Sequence, residues 1–292
     1  MRVLVTGAAG QLGRTVARRF SSTATVTALA RQDLDVASES AVLAAVHDAR
    51  PDIIINCSAY NAVDAAEDDA PTALAVNAFG VLALAGAARQ TGAVLVHYGS
   101  DFVFDGAASE PYTEADEPHP ESAYGVSKLL GEWFAADAPR HYVLRVESLF
   151  GGERAKSSVD RILDALRKDE PARVFFDRTV TPSYVEDVAG ATERLLALQL
   201  PSGLYHCVNS GVTTWLGLAE EAARLLGCAP TLIPVSVDSV NLRARRPRYC
   251  ALANEKLRRA GVDMPTWQDA LARYIGNRGP RDTQASARLL IS

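Results

Sequence analysis

Short runs of apolar, largely β-branched residues alternate with stretches of helical periodicity along the first half of the chain. The apolar runs are RVLVT (2–6), ATVTAL (24–29), DIIINC (52–57), AVLVHY (93–98) and HYVLRV (141–146). Helical patterns separate them, at residues 11–20, near 71–90 and around 123–132. Strands that are apolar throughout and alternate with helices indicate a parallel sheet covered on both faces. The pattern therefore predicts an α/β fold of the doubly wound, Rossmann type.

The pattern loosens after about residue 150, where the elements become more widely spaced. The segment GGERAKSS (151–158) is typical of a mobile loop. Strands are predicted at 173–176 and 204–209, and short helices at 254–260 and 266–276. We expect this half to form a smaller domain or cap around the carboxyl edge of the sheet.

Three parts of the chain are predicted from these patterns. Residues 1–150 form a Rossmann-type domain, to which later segments return. Residues 151–276 form a smaller C-terminal portion placed where a substrate would bind. Residues 277–292 are mixed and polar, which predicts a flexible tail.

Composition narrows the class of protein. The chain has 292 residues, 22% of them charged, and a formal net charge of −5. This acidic balance gives no basic surface, which disfavours nucleic acid and anionic membranes as partners. Four scattered cysteines without a CxxC pair argue against a zinc site and a disulfide framework. We see no signal-peptide pattern and no apolar run near the ~20 residues that a membrane helix needs, so we expect a soluble, cytoplasmic protein.

Three glycines mark the junction between the first strand and the first helix. Gly7, Gly10 and Gly13 follow the strand and open the helical stretch with GxxGxxG spacing. Glycine permits a tight turn and a close approach to a pyrophosphate, whose charge is favoured at the start of a helix. Such a triplet also occurs in ordinary tight turns, but its place after the first strand of an α/β chain predicts a dinucleotide site.

The end of the second strand bears on which dinucleotide binds. A carboxylate there would bind the ribose 2′-hydroxyl of NAD, whereas an arginine would accommodate the 2′-phosphate of NADP. The chain has Ala30 and Arg31 at this point and no carboxylate. This predicts NADPH as cofactor, with NADH as the alternative if Arg31 is only an exposed loop residue. Asp35, followed by Val36, is expected to cap the next segment or to face the adenine.

A tyrosine and a lysine stand four residues apart in AYGVSKLLGE (123–132). Tyr124 and Lys128 would share one face of a helix. An ammonium ~4 Å from a phenol contributes on the order of 4 kcal/mol at an effective dielectric of ~20, which would lower the pKa of the tyrosine by up to ~3. Such pairs are also common on solvated helices, so the pair alone does not establish a proton donor.

A hydroxyl and a carboxylate follow the fourth strand in HYGSDFVFDG (97–106). Ligands of a doubly wound sheet bind beyond the carboxyl ends of the strands, which is where Ser100 and Asp101 are placed. A hydride delivered to a carbonyl leaves an alkoxide that needs a proton and a hydrogen-bond donor. Ser100, Tyr124 and Lys128 together therefore predict a carbonyl reductase, although Ser100 and Asp101 could also form an ordinary turn.

These segments together resemble the extended short-chain dehydrogenase/reductase family. The resembling stretches are TGAAGQLG, VNA (76–78), SDFVFDG and YGVSK. NCSAYNAVDAAEDD (56–69), VHYGSDFVFDG and PSYVEDVA (182–189) resemble one branch of it, the dTDP-4-dehydrorhamnose reductases. The similarity is dense through residue 150 and thinner to about 275.

The resemblance implies a reductase that transfers hydride from NAD(P)H to C4 of a nucleotide-activated 4-keto-6-deoxy sugar. It implies that Tyr124 protonates the C4 oxygen, that Ser100 completes the catalytic set, and that Lys128 holds the nicotinamide ribose and lowers the pKa of the tyrosine. Asp101 matches a sugar-contacting position. Asn77 matches an asparagine that holds the active-site helix and a water, or it is a helix-internal residue satisfied by backbone. The implied cofactor-binding residues are Gly10, Gln11, Leu12, Ala59, Tyr60, Asn61 and Tyr98.

The chain departs from the family pattern beside the sugar site. RVESLFGG (145–152) replaces the usual RTSWVYG, so Ser148 stands where the family has a tryptophan against the sugar, and Glu147 adds a carboxylate. Ser148 is therefore a substrate-binding candidate, and the exact sugar is left open. Arg246, in the cationic run 243–246, is another candidate, for a substrate diphosphate, or it belongs to a solvated loop.

Several alternatives are left open by the sequence. Epimerases and 4,6-dehydratases share the fold, but dehydratases carry Asp-Glu after the catalytic hydroxyl where this chain has Asp101-Phe102. A regulatory, NADP-binding subunit resembling the β-subunit of methionine adenosyltransferase would keep the fold without reductase activity. Some relatives form dimers and some are associated with Mg²⁺, so a homodimer and the ion are left open, and no metal ligand is assigned.

Overall fold

Twelve strands and eleven α-helices make up the part of the chain that the computed structural model describes, residues 1–278. The strands are β1 (Arg2–Thr6), β2 (Thr25–Leu29), β3 (Ile53–Asn56), β4 (Val94–Ser100), β5 (His141–Val146), β6 (Leu149–Phe150), β7 (Ala172–Phe175), β8 (Thr179–Val180), β9 (Ser183–Tyr184), β10 (Gly203–His206), β11 (Thr213–Thr214) and β12 (Leu232–Val235). The helices are α1 (Gln11–Phe20), α2 (Glu39–Ala49), α3 (Val63–Asp68), α4 (Ala70–Leu74), α5 (Gly80–Thr91), α6 (Ala123–Ala135), α7 (Ser158–Arg167), α8 (Val185–Ala197), α9 (Trp215–Leu226), α10 (Glu255–Arg259) and α11 (Trp267–Arg278).

Six of the strands form one parallel sheet, in the order β10–β5–β4–β3–β1–β2. The chain runs from β1 outward to β2 and then crosses back to β3 on the other side of β1. The direction of winding therefore reverses between β1 and β3. Ligands of such sheets bind beyond the carboxyl ends of the strands at this reversal, and the doubly wound prediction is confirmed.

Helices cover both faces of the sheet, which explains why its strands are apolar throughout. On one face, Val5 of β1 packs in the core with Val16 of α1. On the other face, Leu4 packs with Val42 of α2 and Leu84 of α5. Successive residues of β1 thus enter two different cores, and neither face is left to solvent.

The second half of the chain returns to the sheet in part. Strand β10 pairs with β5 at one edge, and α8 packs against α1. The other strands of this half form three two-stranded sheets, β6–β9, β7–β12 and β8–β11. Later segments therefore contribute to the predicted first domain, while the division near residue 150 stays a prediction.

The segment Ala70–Thr91 combines α4, a π-helical turn at Ala75–Phe79 and α5. It is the one candidate membrane span within residues 1–278 by length and composition, so the expectation that no apolar stretch approaches that length was wrong. Half of this apolar stretch is buried inside the fold, and α5 packs against α2 and α6. A core helix of an α/β sheet satisfies the same criteria, because it too must be apolar along most of its length.

Two predictions about irregular segments have different outcomes. Residues 151–157 carry no helix or strand before α7 begins, which agrees with a loop, and its mobility stays a prediction. Residues 277 and 278 form the last turn of α11 instead of the start of a tail. The remainder of the predicted tail, 279–292, lies outside the described residues.

The packing of α6 on the π-helical turn predicts a strong effect of one methyl group. A Cβ on Gly131 would lie 2.1 Å from the carbonyl oxygen of Asn77, whereas a Cβ on Gly86 would meet nothing within 4 Å. We expect Gly131→Ala to lower the free energy of unfolding by about 1–3 kcal/mol. The matched change Gly86→Ala should raise it by up to about 1 kcal/mol, because alanine favours the helix. The free energies of unfolding of both variants would be measured by urea denaturation, and equal values would contradict this packing.

Candidate active site

Gly7 and Gly13 bring the first strand-to-helix turn against the loop that follows β3. Gly7 has φ = 63°, and a Cβ added to it would lie 2.6 Å from the carbonyl of Cys57. A Cβ on Gly13 would lie 2.3 Å from the carbonyl oxygen of Gly7. Only glycine fits at these positions without moving the backbone. We call this turn the glycine cradle, because no side chain covers its backbone at Gly7, Gly10 and Gly13, as the GxxGxxG spacing predicts.

Helix α1 presents its amino-terminal end to this cradle. Gly10 occupies the cap position without a side chain, and the first turn of the helix carries no acidic residue. An anion at this end would meet the partial positive charge of the first N–H groups without a competing carboxylate from that turn. The cradle and the helix end together fit a pyrophosphate.

Two adjoining cavities run from the cradle along the carboxyl ends of the strands. They have volumes of about 260 Å³ and 490 Å³ and share Gly10, Ala59 and Asn61, so they form one groove. Predicted residues on the first cavity are Gly7, Arg31, Asp35, Val36 and Tyr60. Predicted residues on the second cavity are Gln11, Leu12, Gly13, Tyr98, Ser100, Asp101, Tyr124, Lys128 and Ser148. The fold thus brings together all the predicted site residues except Arg246.

Asp35 and its neighbours show how the first cavity is shaped. The Asp35 carboxylate accepts a hydrogen bond from the N–H of Ala37 at 3.1 Å and also lines the cavity. The cap of α2 is Ser38, whose hydroxyl accepts from the N–H of Ala41. Asp35 therefore shapes the turn before α2 and faces the groove, and it does not cap the helix.

Asn77 fixes the loop shared by the two cavities. Its Oδ1 accepts from the N–H of Tyr60 at 2.8 Å, and its Nδ2 donates to the Tyr60 carbonyl at 3.0 Å and to the Ser127 hydroxyl at 3.0 Å. The Ser127 hydroxyl donates in turn to the Tyr124 carbonyl at 2.7 Å. One buried amide, placed by the π-helical turn, therefore ties the loop to the helix that carries Tyr124. Turns of this kind are frequent at functional sites.

Ser100 and Asp101 lie buried at the end of β4. The Ser100 hydroxyl donates to Asp101 Oδ1 at 3.1 Å and accepts from the N–H of Phe102 at 3.2 Å. This is the strand-ending turn that the sequence left open as an alternative. The same hydroxyl also lines the second cavity and interacts with the side chain of Tyr124. Ser100 therefore both forms the turn that ends β4 and lines the candidate site.

Tyr124 lines the second cavity from the first turn of α6. Its hydroxyl oxygen lies 3.5 Å from Asn61 Oδ1, and its ring meets that of Phe102 edge to face. Burial raises the pKa of Tyr124, the Ser100 hydroxyl lowers it, and the charge of Asp101 raises it further. A phenol with a raised pKa stays protonated at neutral pH and is able to donate its proton.

Lys128 is buried one turn further along α6, where it makes a contact that the sequence did not predict. Its Nζ donates to the carbonyl of Tyr98 at 2.6 Å. Burial lowers the pKa of Lys128 to about 8, while the charge of Glu132 raises it. The Ser100 hydroxyl lowers the pKa of Tyr124, and the predicted lowering of this pKa by Lys128 stays a prediction.

Two buried carboxyls and a guanidinium lie beside these residues. Glu147 accepts from the N–H of Thr181 at 2.6 Å and from the Ser148 hydroxyl. Burial and the charge of Asp101 raise the pKa of Glu147 to about 8, and burial raises the pKa of Asp101 to about 6. The nearby Arg178 charge lowers both. The shifts favour the protonated form of Glu147 over that of an ordinary glutamate.

Ser148 adopts a left-handed backbone conformation in the wall of the second cavity. Its φ is 42°, which is uncommon for a residue that has a Cβ. Its hydroxyl is engaged by Glu147, and its carbonyl accepts from the N–H of Ser183 at 3.4 Å. The two departures from the family pattern, Glu147 and Ser148, are therefore in contact with each other.

The second half of the chain adds residues that the sequence did not single out. The residues Lys156, Arg161, Arg178 and Trp215 line the second cavity. A neighbouring cavity of about 470 Å³ shares Ser158, Arg161, Arg178 and Trp215, and adds Arg173 and Phe175. No motif marks these residues, since they come from separate loops and helices. Only folding brings this cationic region to the groove.

Arg246 lies outside the groove, contrary to its prediction as a substrate-binding residue. Its guanidinium pairs with Asp64 at 2.8 Å and lies 5.8 Å from the ring centroid of Phe102. It lines a separate cavity of about 320 Å³. Arg243 and Arg245 also pair with carboxylates. Because carboxylates of the protein already pair with these three arginines, none of them is free to bind a diphosphate.

No group of three or more His, Cys, Asp or Glu side chains within residues 1–278 is placed to hold a metal ion. The carboxylates beside the groove have other contacts, such as Asp101 with Ser100 and Glu147 with Thr181. Nothing in the described site supports the Mg²⁺ ion that the sequence left open.

Comparison with protein families agrees with the geometry. The family model described as RmlD substrate binding domain matches residues 1–278. The chain belongs to this family. Its membership confirms the predicted branch of the reductases and does not favour the regulatory subunit.

Curated relatives of this RmlD-family chain match it over nearly their whole length. The dTDP-4-dehydrorhamnose reductase of Burkholderia thailandensis is 34% identical, over 93% of this chain and 97% of the relative. A Streptomyces antibioticus protein named as a probable dTDP-4,6-dihydroxy-2-methyloxan-3-one 4-ketoreductase is 37% identical, over 93% of each chain. The relatives thus carry the names of more than one ketoreductase, which agrees with a sugar site that differs within the family.

Solved structures of relatives share the whole fold. A dTDP-4-dehydrorhamnose reductase from Clostridium acetobutylicum has a TM-score of 0.91 at 33% identity, over 96% of this chain and 100% of that one. The Bacillus anthracis enzyme, in complex with NADP, has a TM-score of 0.90 at 31% identity, over 94% and 99%. A Thermus thermophilus UDP-glucose 4-epimerase, at 22% identity and a TM-score of 0.81, shares the fold alone.

The raised pKa of Glu147 predicts how one substitution changes the pH dependence of stability. The folded chain keeps this proton up to pH about 8, whereas an unfolded glutamate loses it near 4.5. Between these values the folded state binds more protons, so this group makes stability fall as pH rises, by at most about 1.4 kcal/mol per pH unit. Glu147→Gln should remove that fall, and the variant should gain stability relative to the parent from pH 5 to 8.

Denaturant titrations at several pH values would measure this difference. Glu220→Gln, a change to an exposed glutamate of α9, is the control and should follow the parent at every pH. Stability curves of parent and Glu147→Gln that run parallel between pH 5 and 8 would refute the proton assignment.

Proposed function

We propose that this protein is an NADPH-dependent reductase of a nucleotide-activated 4-keto-6-deoxy sugar, as in the dTDP-4-dehydrorhamnose reductases that it resembles. The observation that carries the proposal is the convergence of Ser100, Tyr124 and Lys128 on a cavity that adjoins the glycine cradle. The names of the curated relatives support the same reaction. We assign the substrate to the class of dTDP-4-keto sugars and not to one sugar, because Ser148 and Glu147 depart from the family pattern beside the sugar site.

The groove fits a dinucleotide. The turn between β1 and α1 has no room for a Cβ at Gly7 or Gly13, and the open end of α1 favours a pyrophosphate. Arg31 on the first cavity suits a 2′-phosphate. NADPH, when bound, would supply the hydride that reduces the sugar carbonyl.

Tyr124 acts in this proposal as the proton donor to the C4 oxygen. Its pKa is raised by burial, so the phenol is protonated in the physiological range and has a proton to give to the developing alkoxide, which is the stronger base. The Ser100 hydroxyl interacts with the Tyr124 side chain and lines the same cavity. Its single hydrogen is donated to Asp101 Oδ1, so the hydroxyl must turn to donate to the developing alkoxide.

Lys128 acts as a fixed positive charge beside the same cavity. Its Nζ uses one hydrogen on the Tyr98 carbonyl, and an ammonium has two further donors. These donors are available for the nicotinamide ribose. In the neighbouring region, Arg161 and Arg178 supply charge that suits the diphosphate of a sugar nucleotide.

Further expectations from the sequence belong to this proposal. The absence of a second acid after Asp101 disfavours dehydratase chemistry. The cytoplasmic location, the absence of nucleic-acid and membrane partners, and a homodimer stay predictions.

A substrate screen tests the proposed function. Loss of NADPH absorbance would be followed with dTDP-4-keto-6-deoxy sugars of different configuration, and with UDP-glucose as a sugar nucleotide that has no 4-keto group. We expect oxidation of NADPH only with the 4-keto sugars. Binding of NADPH without oxidation by any of them would favour a sensing role over a reductase.

Replacement of the proton donor gives a sharper test. Tyr124→Phe should lower kcat by about 100-fold to 10,000-fold, the usual range for loss of a general acid, while the Kd for NADPH changes little. Tyr142→Phe is the matched control, because the Tyr142 hydroxyl donates to the Leu200 carbonyl away from the groove. Near-parental turnover by Tyr124→Phe would rule out this tyrosine as the acid.

A further inference from the structure

The loop between β6 and α7 crosses the dinucleotide groove. We name residues 151–157 the strap. It begins with Gly151 and Gly152, both at positive φ (96° and 75°), a conformation that glycine adopts without strain. The strap is held to the start of α1 at two points: Gln11 Nε2 donates to the Gly151 carbonyl at 2.7 Å, and Arg14 pairs with Glu153 at 2.9 Å. It is thus anchored beside the phosphate cradle.

Side chains of the strap reach both parts of the groove. Arg154 lines the first cavity, on which Arg31 also lies. Lys156 and Ser157 line the second cavity, with the catalytic candidates. Arg31 and Arg154 come from parts of the chain more than 100 residues apart, and the strap is what brings them to one cavity.

The two arginines give the first cavity a positive balance. Within residues 1–278 neither of them takes part in an ion pair with a carboxylate, unlike Arg14, Arg19 and Arg243. Asp35 is the carboxylate on this cavity, and it accepts from the N–H of Ala37. A guanidinium binds phosphate through two parallel N–H donors, and two guanidinium groups match the two negative charges of a phosphate monoester.

We propose that Arg154 of the strap, together with Arg31, binds the 2′-phosphate of the cofactor and so makes the protein selective for NADPH over NADH. This inference rests on the proposed function only for the class of cofactor. Arg31 alone, in an exposed loop, would provide one flexible charge. Arg154, which is also exposed, would provide a second charge from a segment whose neighbouring residues Gly151 and Glu153 contact α1.

Equilibrium binding tests the proposal without turnover. The Kd values of NADPH, NADH, 2′,5′-ADP and 5′-AMP would be measured by calorimetry or nicotinamide fluorescence for the parent, Arg31→Ala, Arg154→Ala and the double variant. We expect Arg154→Ala to weaken NADPH and 2′,5′-ADP by about 10-fold or more, the scale of one charge-assisted contact, and NADH and 5′-AMP by less than about 2-fold. The NADPH preference of the parent should also shrink as salt is added.

Control variants separate a specific contact from general effects. Arg89→Ala removes an exposed arginine from the end of α5, outside the cavities, and should leave all four Kd values unchanged. Arg154→Lys keeps the charge without the two-pronged guanidinium and should give an intermediate NADPH affinity. Equal melting temperatures of parent and Arg154→Ala would show that the fold is intact.

Several results would overturn the proposal. If Arg154→Ala weakened the binding of NADPH and NADH equally, the arginine would contribute to dinucleotide binding in general and not to recognition of the 2′-phosphate. Unchanged Kd values would show that Arg154 does not bind the cofactor. A parent that binds neither dinucleotide would reject the cofactor class and this inference together. A parent that binds NADPH in the expected way but reduces no 4-keto sugar would remove the proposed reductase and leave the role of Arg154 intact.

Discussion

Close contact between the first turn and the loop after β3 is the constraint on which the site depends. Gly7 can approach the Cys57–Ser58 peptide only because it has no Cβ and tolerates positive φ. Strands β1 and β3 are neighbours where the winding reverses, so this contact places the start of α1 at the carboxyl edge of the sheet. The same loop continues to Tyr60, which Asn77 ties to the helix of Tyr124. The cofactor cradle and the proton donor are thus connected through one short segment.

Charge buried around Tyr124 is stabilised in three different ways. The Lys128 ammonium is bound by a strand carbonyl, and its pKa falls to about 8 because burial disfavours the charged form. Glu132 and Arg145 form a buried ion pair at 2.8 Å, and each supplies the counter-charge that offsets desolvation of the other. Glu147 avoids a buried charge by keeping its proton, because both burial and Asp101 oppose its ionisation. Each of these ionisable groups is therefore either engaged by a partner or kept neutral by its proton.

The second half of the chain completes the groove rather than standing apart from it. Strand β10 extends the sheet beside β5, while α7, α9 and the strap present charged and aromatic side chains to the cavities. Their elements are short and their connections irregular, which suits a part of the protein whose ligand varies while the sheet stays the same. The Glu147–Ser148 contact lies at this junction, between a strand end of the first half and Thr181 of the second.

The sequence by itself determined the sheet strands, the glycine cradle and the candidates Ser100, Tyr124 and Lys128, because periodicity, glycine spacing and strand-end motifs are local properties of the chain. Other residues of the groove, such as Ala59, Tyr60 and Asn61, followed from the resemblance to a family. The sequence did not predict α2, α3, α7, α8 or α9; in α2, for example, only Val42 and Val46 are buried, so the apolar pattern is weak. Tertiary structure alone decided that Arg246 pairs with Asp64, that Lys128 contacts Tyr98, and that Arg154 and Arg31 meet at one cavity. These outcomes depend on burial and on partners distant in sequence, and no local pattern of residues encodes which charges will meet once the chain has folded.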